Sequence, residues 1–412
     1  MTGDGQAESS VLTAPERIAD VPPHDNAPRG IAAVVAAVGI MLVAANLRPP
    51  VVSVAPLVDD IMGDLGFSSA AAGLLTTLPV LFFGFSAPIA PRIAARFGIE
   101  RTIFGSLIFL ILGMGLRFVP NIASLLVGSA VIGTAIGICN VVLPALIKRD
   151  FAHRSGLMTG LYSMTLSGGA AVAAALTIPI DDLDDGDWRL TLTSWTLLAV
   201  VALVVWIPQL TRVHRVAVSS TPTSLWRNRI AWAITIFMAS QSIIFYTFSA
   251  WLPQYLIDHG RTAGEAGTTL AIGQVVALTA SLLIPIVAGR FADQRAITLG
   301  VVAVCAAGFV GLVTVHVWTT LWVIMIMFGP GASISLVLLF MVLRSPSTVA
   351  TGQVSGMAQS VGYVVAAIGP IAIGALHDVT GSWNLAMSVL GLALVPQALS
   401  TLLAAKNVTM KV

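Results

Sequence analysis

Long apolar runs recur from residue 30 to residue 404, and they constrain this chain more than any other feature. A helix needs about 20 mostly apolar residues to cross a bilayer. The sequence offers twelve such stretches, at 30–56, 69–91, 102–119, 123–147, 156–179, 188–209, 230–257, 264–288, 297–315, 319–343, 353–376 and 383–404. Charge is too sparse for a water-soluble alternative. Charged residues make up 10% of the 412, against 57% hydrophobic, where soluble domains carry about 25% charge. Disordered, collagen-like and coiled-coil classes fail on the same count. Cys139 and Cys305 both sit in apolar runs, which excludes a disulfide framework and a Cys-rich metal site. The all-helical membrane class is what remains.

Lys and Arg collect on the cytoplasmic side of membrane proteins. With the N-terminus placed inside, 17 of 21 bases fall on the cytoplasmic face and 11 of 19 acids on the outer one. Arg117, Arg189 and Arg261 read as outer residues, and Arg48 falls within a span. An odd number of spans destroys this asymmetry, so both termini are expected in the cytoplasm. Residues 1–29 carry five acids, two arginines, four prolines and no apolar run. They lack the basic and apolar regions of a signal peptide and read as a disordered cytoplasmic tail.

A shift of 194 residues superposes Asp64, Gly66, Ala72, Gly73, Pro91, Ala94, Arg96, Phe97 and Arg101 on Asp258, Gly260, Ala266, Gly267, Pro285, Ala288, Arg290, Phe291 and Arg295. Span 2 therefore repeats as span 8. The predicted organisation is a six-helix bundle at 30–210, a cytoplasmic linker at 211–229 and a second six-helix bundle at 230–404. A short tail at 405–412 follows. Internal symmetry of this kind is a mark of transporter architecture.

Two six-span halves with a basic loop 2–3 and its copy at loop 8–9 resemble the major facilitator superfamily. The loop motif of that family appears as Gly289-Arg-Phe-Ala-Asp293-Gln-Arg295. Its first-half counterpart, Pro91-Arg-Ile-Ala-Ala95-Arg96-Phe97, has Ala95 where the family usually has Asp. Aligning the halves on this motif shifts them by one helical turn from the ungapped repeat, and both alignments stand. The phrases Asn46-Leu-Arg48-Pro49, Ala72-Gly-Leu-Leu-Thr-Thr-Leu-Pro79, Trp251-Leu-Pro253 and Ser355-Gly-Met-Ala-Gln359-Ser-Val-Gly-Tyr363 are similar to the cyanate and 2-nitroimidazole transporter group. That resemblance implies a plasma-membrane protein moving a small polar or anionic solute between two rocking bundles.

Arg48 is the sharpest single residue. A charge within a span costs at least about 2.5–3.5 kcal/mol, so it faces a cavity or a partner. Its guanidinium is a fork of donors suited to a carboxylate, a cyanate or a nitro group. The alternative is a clamp on carbonyls that Pro49 and Pro50 free near Ala45 and Asn46, or a pair with Asp59 or Asp60. The repeat places Ser242 opposite Arg48, so the charge belongs to one half only. No carboxylate is expected in the body of a span, with Glu100 and Asp150 read as loop residues. That argues against a dedicated proton carrier at membrane depth.

Ser355, Gln359 and Tyr363 share one face of span 11 at four-residue spacing. Gln241, Ser242, Tyr246 and Ser249 make a polar face on span 7, and Asn140 adds an amide on span 4. The candidate substrate-binding set is Arg48, Asn46, Asn140, Gln241, Tyr246, Gln359 and Tyr363, with interhelical hydrogen bonding as the competing role of each amide. Gly329-Pro330-Gly331 is expected to break span 10 as a hinge. Arg96, Arg101, Arg290, Asp293 and Arg295 are candidates for a latch on the basic face, or serve orientation alone.

Among function classes, an intramembrane enzyme needs a nucleophile, base or metal cluster that these spans lack, and a pump needs a phosphate-binding loop. A sensor of transporter descent needs an output domain. A secondary or facilitative transporter remains, with efflux of drugs or metabolites as the alternative use of the same fold. Its expected partners are a small-molecule substrate and membrane lipids, without nucleic acid, cofactor or metal, in a monomer.

Overall fold

The computed structural model describes residues 30–66, 69–183, 186–212 and 225–411. The proposed N-terminal tail, Asp184, Asp185 and the middle of the linker lie outside these. Among the described residues, eleven helices are long and apolar enough to cross a membrane. A twelfth span is the pair Thr77–Ser86 and Ala90–Phe97, bent by 56°. The twelve follow the expected order. Spans 3 to 5 are Ile99–Leu116, Ile122–Asp150 and Ser155–Leu183. Spans 7 to 11 are Arg229–Asp258, Ala263–Ala288, Arg295–Thr314, Thr319–Arg344 and Thr348–Thr380. Span 6 is Trp188–Ser194 followed by Thr196–Trp206, and span 12 is Trp383–Gly391 followed by Leu394–Ala404.

Helix starts are set by local chemistry. Asn121, Asn228 and Ser347 accept backbone N–H bonds at the heads of spans 4, 7 and 11. Thr262 and Glu265 form a reciprocal capping box at the head of span 8. Each cap satisfies donors that have no partner inside the helix.

Span 1 breaks where the sequence places its prolines. The helix Ile31–Ala45 stops, Asn46 to Arg48 turn, and a short helix Pro49–Val52 follows. Pro49 has no N–H to give the Ala45 carbonyl. Gly169 of span 5 comes against that carbonyl, where a Cβ would lie 2.7 Å from the oxygen.

Glycines place the helices. A Cβ on Gly133 or Gly137 of span 4 would lie within 3 Å of Pro79 or Phe83 of span 2. Between the bundles, Gly156 and Gly160 of span 5 meet Pro285 and Leu282 of span 8. Gly84 of span 2 meets Ser360 of span 11, and Gly356 of span 11 meets Ala87. Small residues let backbones approach this closely. Every one of these contacts between bundles falls in the half of the spans nearest the basic loops. The two bundles are therefore sealed together at that face.

Several expectations are corrected. Span 10 does not break at Gly329-Pro330-Gly331; the helix Thr319–Arg344 runs through. Pro330 frees the Ile326 carbonyl, and the Cys305 thiol donates to it at 3.5 Å. Gly329 makes room for Cys305 of span 9 and Gly331 for Ala277 of span 8, so the triplet is a packing station. Glu100 is not a loop residue. It lies in the first turn of span 3, 1% exposed, and pairs with Arg149 at 2.7 Å. This pair sits at the basic face of the half whose loop has Ala95 in place of Asp. Arg117 stays at the end of span 3 away from the basic loops, as expected, but it is 1% exposed; it donates to the Pro50 carbonyl and, at 2.9 Å, to Ser129 Oγ. A carbonyl in the broken part of span 1, that of Pro50, is thus held by Arg117. Arg344 is buried as well and donates to the carbonyls of Ala404 and Ala405 at the end of span 12.

Candidate functional site

Arg48 caps the short helix after the break in span 1, which turns its side chain across the gap between the bundles. Nη1 donates to Tyr246 Oη of span 7 at 3.4 Å, and the guanidinium carbon stands 6.0 Å from the centre of the Phe83 ring on span 2. The phenols of Tyr363 on span 11 and Tyr162 on span 5 are also within electrostatic reach. Three of the four tyrosines in the chain therefore surround one cation. Phe83 packs edge-on against Tyr363 with centroids 5.5 Å apart and closes the aromatic wall. Among the described residues no carboxylate pairs with Arg48.

A second polar layer joins the bundles through Asn140. Pro144 stands four residues after it and has no N–H, so the Asn140 carbonyl is free of its helical partner. Gln359 of span 11 donates to that carbonyl at 2.8 Å and to Ser355 Oγ at 2.7 Å. The Asn140 side chain accepts from Tyr162 Oη at 3.3 Å through Oδ1. Its amide Nδ2 is buried with no hydrogen-bond partner among the described residues. Such a donor is costly to leave unpaired, and Tyr162, which bonds the same side chain, links it to the phenols around Arg48.

The geometry divides the sequence candidates. Arg48, Tyr246 and Tyr363 converge directly, and Asn140 and Gln359 connect to them through Tyr162 and the bundle interface. Asn46 turns away, donating to the carbonyls of Leu42 at 2.8 Å and Leu198 at 3.2 Å, and so ties the break in span 1 to span 6. Gln241 is bonded within its own helix, to Ser242 Oγ at 2.6 Å. Tyr162 and Phe83 were missed by sequence reasoning. Neither has a local signal, because one aromatic ring in an apolar span looks like any other packing residue.

The basic-loop residues behave locally. Arg96 lies beside the ring of Phe97, and Arg96, Arg101 and Arg290 are exposed. Arg295 pairs with Asp293 of its own loop at 2.7 Å. The side-chain and backbone bonds from Arg295 hold the Asp293 carboxyl below its ordinary range. Among the described residues no ion pair joins these side chains across the bundles. The seal at that face is glycine against carbonyl.

Two six-span bundles with a half-buried cation between them have the architecture of a membrane transporter. The chain belongs to the Major Facilitator Superfamily, whose family model matches residues 30–370. It is 39% identical over 363 residues to the uncharacterized transporter YycB of Bacillus subtilis (strain 168), covering 87% of this chain and 90% of that one. It is 37% identical to the 2-nitroimidazole transporter of Escherichia coli (strain K12), covering 84% and 89%. Identity to the cyanate transport protein CynX of the same organism is 30%, covering 86% and 94%. The resemblance drawn from four short phrases is thereby supported over most of the chain. In fold, the crystal structure of the E. coli fucose:proton symporter FucP superposes with a TM-score of 0.73 at 14% identity, covering 91% and 98%.

Proposed function

We propose that this chain moves a small polar or anionic solute, a cyanate-like anion or a nitro-substituted heteroaromatic, across the bacterial plasma membrane by alternating access. The observation that carries the reading is the Arg48 site. One cation, without a carboxylate partner among the described residues, faces tyrosines from both bundles, and Tyr162 links it to the Asn140 amide. The site offers donors, an aromatic wall and a single positive charge. Cyanate presents acceptors and a negative charge; a nitroimidazole presents acceptor oxygens and a flat ring. Both fit an arginine fork beside aromatic faces. Relatives named for 2-nitroimidazole and for cyanate support this substrate class.

The basic loops lie in the cytoplasm in this reading, with both ends of the chain, as the charge asymmetry favours. The structure then represents the state closed toward the cytoplasm. The protein works as a monomer and as a transporter rather than an enzyme.

The test is uptake into proteoliposomes of cyanate and of 2-nitroimidazole. Arg48→Ala abolishes uptake of the substrate that the wild type carries. Arg48→Lys retains charge without the planar fork and keeps only a small part of the rate. Wild-type rates in both variants would refute the anchor role.

A further inference from the structure

Away from the central site, a groove of about 430 Å³ lies between the basic-face ends of spans 7 and 12. Arg227, Arg229, Trp232 and Leu403 line its mouth, and Ile236, Pro396 and Leu399 line its depth. From Arg229 to Ile236 the wall descends seven helical residues, about 10 Å. The mouth is therefore at interface level and the depth at hydrocarbon level. Arg227 and Arg229 are both exposed, and among the described residues neither has an ion-pair partner. The C-terminal tail adds a base: Asn228, between the two arginines, donates to the Lys411 carbonyl at 3.1 Å. Trp226 is 62% exposed and packs edge-on against Trp232 at 5.7 Å, as interfacial anchors do.

A cationic mouth, an aromatic rim and an apolar slot have a single complement in a membrane, a lipid with a charged phosphate head and a hydrocarbon tail. We propose that this groove is a binding site for one anionic phospholipid, the head on Arg227 and Arg229 and an acyl chain along Ile236 and Leu399. The groove shares no residue with the Arg48 site, so a failed lipid test leaves the transport site untouched.

The experiment is native mass spectrometry of the full chain in mild detergent. The probes are phosphatidylglycerol and phosphatidylcholine with the same acyl chains, and inorganic phosphate as the free-anion arm. Wild type is expected to retain phosphatidylglycerol selectively. The double variant Arg227→Gln, Arg229→Gln should weaken that retention about tenfold or more. Arg227→Lys with Arg229→Lys should keep most of it. Ile236→Trp leaves the arginines in place and fills the slot, and it should also reduce retention. Equal retention of phosphatidylcholine, competition by inorganic phosphate alone, or unchanged phosphatidylglycerol binding in the double variant overturns the proposal. So does a second copy of the chain occupying the groove, seen as a dimer that Leu399→Arg abolishes.

Discussion

Arginines illustrate how much a single residue's surroundings decide. Arg48 and Arg117 are both in the first bundle and neither is salt-bridged among the described residues. One faces phenols across the gap, and the other holds a backbone carbonyl and a serine. Arg117→Gln should leave the Pro50 carbonyl underbonded, at a cost of about 1–3 kcal/mol. Thermal unfolding should show a lower Tm, whereas Arg48→Ala should leave Tm nearly unchanged while removing uptake. Tyr162→Phe deletes one neutral hydrogen bond and frees Asn140 to flip. The concentration of substrate giving half-maximal uptake should rise about two- to tenfold. Asn140→Asp keeps the shape and sets a carboxyl beside Tyr162, which faces Arg48, so anion uptake at neutral pH should fall with folding preserved. Arg48 was legible in the sequence because a charge in an apolar run is conspicuous. Arg117 was not, because a base at the end of a span reads as a loop residue until the next helix covers it.

Helices in this molecule are placed by what their glycines allow. Gly133 and Gly160 look alike in the sequence, each part of a four-residue glycine pair. Gly133 packs inside one bundle and Gly160 between the two. Gly133→Ala should lower Tm, because its Cβ would lie 2.6 Å from the Pro79 carbonyl oxygen within a unit that stays together. Gly160→Ala pushes on Leu282 across the seal, and the bundles can answer by parting. Cysteine labelling at the basic face should then increase with little change in Tm. The number and order of the spans were legible as hydropathy. The role of Gly329-Pro330-Gly331 was not, since a broken helix and a tightly packed one ask for the same residues. Only the positions of Cys305 and Ala277 distinguish them.

At the scale of the whole molecule, one closed face implies another that opens. A Cβ on Gly352 of span 11 would lie 3.8 Å from Ala145 Cβ of span 4, a separation typical of disulfides. Ala145→Cys with Gly352→Cys should cross-link on oxidation, stop uptake and recover on reduction. The single variants should transport under both conditions. Uptake unaffected by a complete cross-link would exclude movement of the bundles at this face. Pro144 adds a final consequence. The Asn140 carbonyl that it frees is held by Gln359 while the face is shut. As the helices part, water entering from that side can hydrogen-bond the same oxygen. The exchange trades one bond for another of similar strength, so neither state gains a large advantage at this point. If the transporter works by alternating access, as proposed, its two shapes need to be nearly isoenergetic. On that proposal, one missing N–H in span 4 is a counterweight that keeps the shut state from becoming a trap.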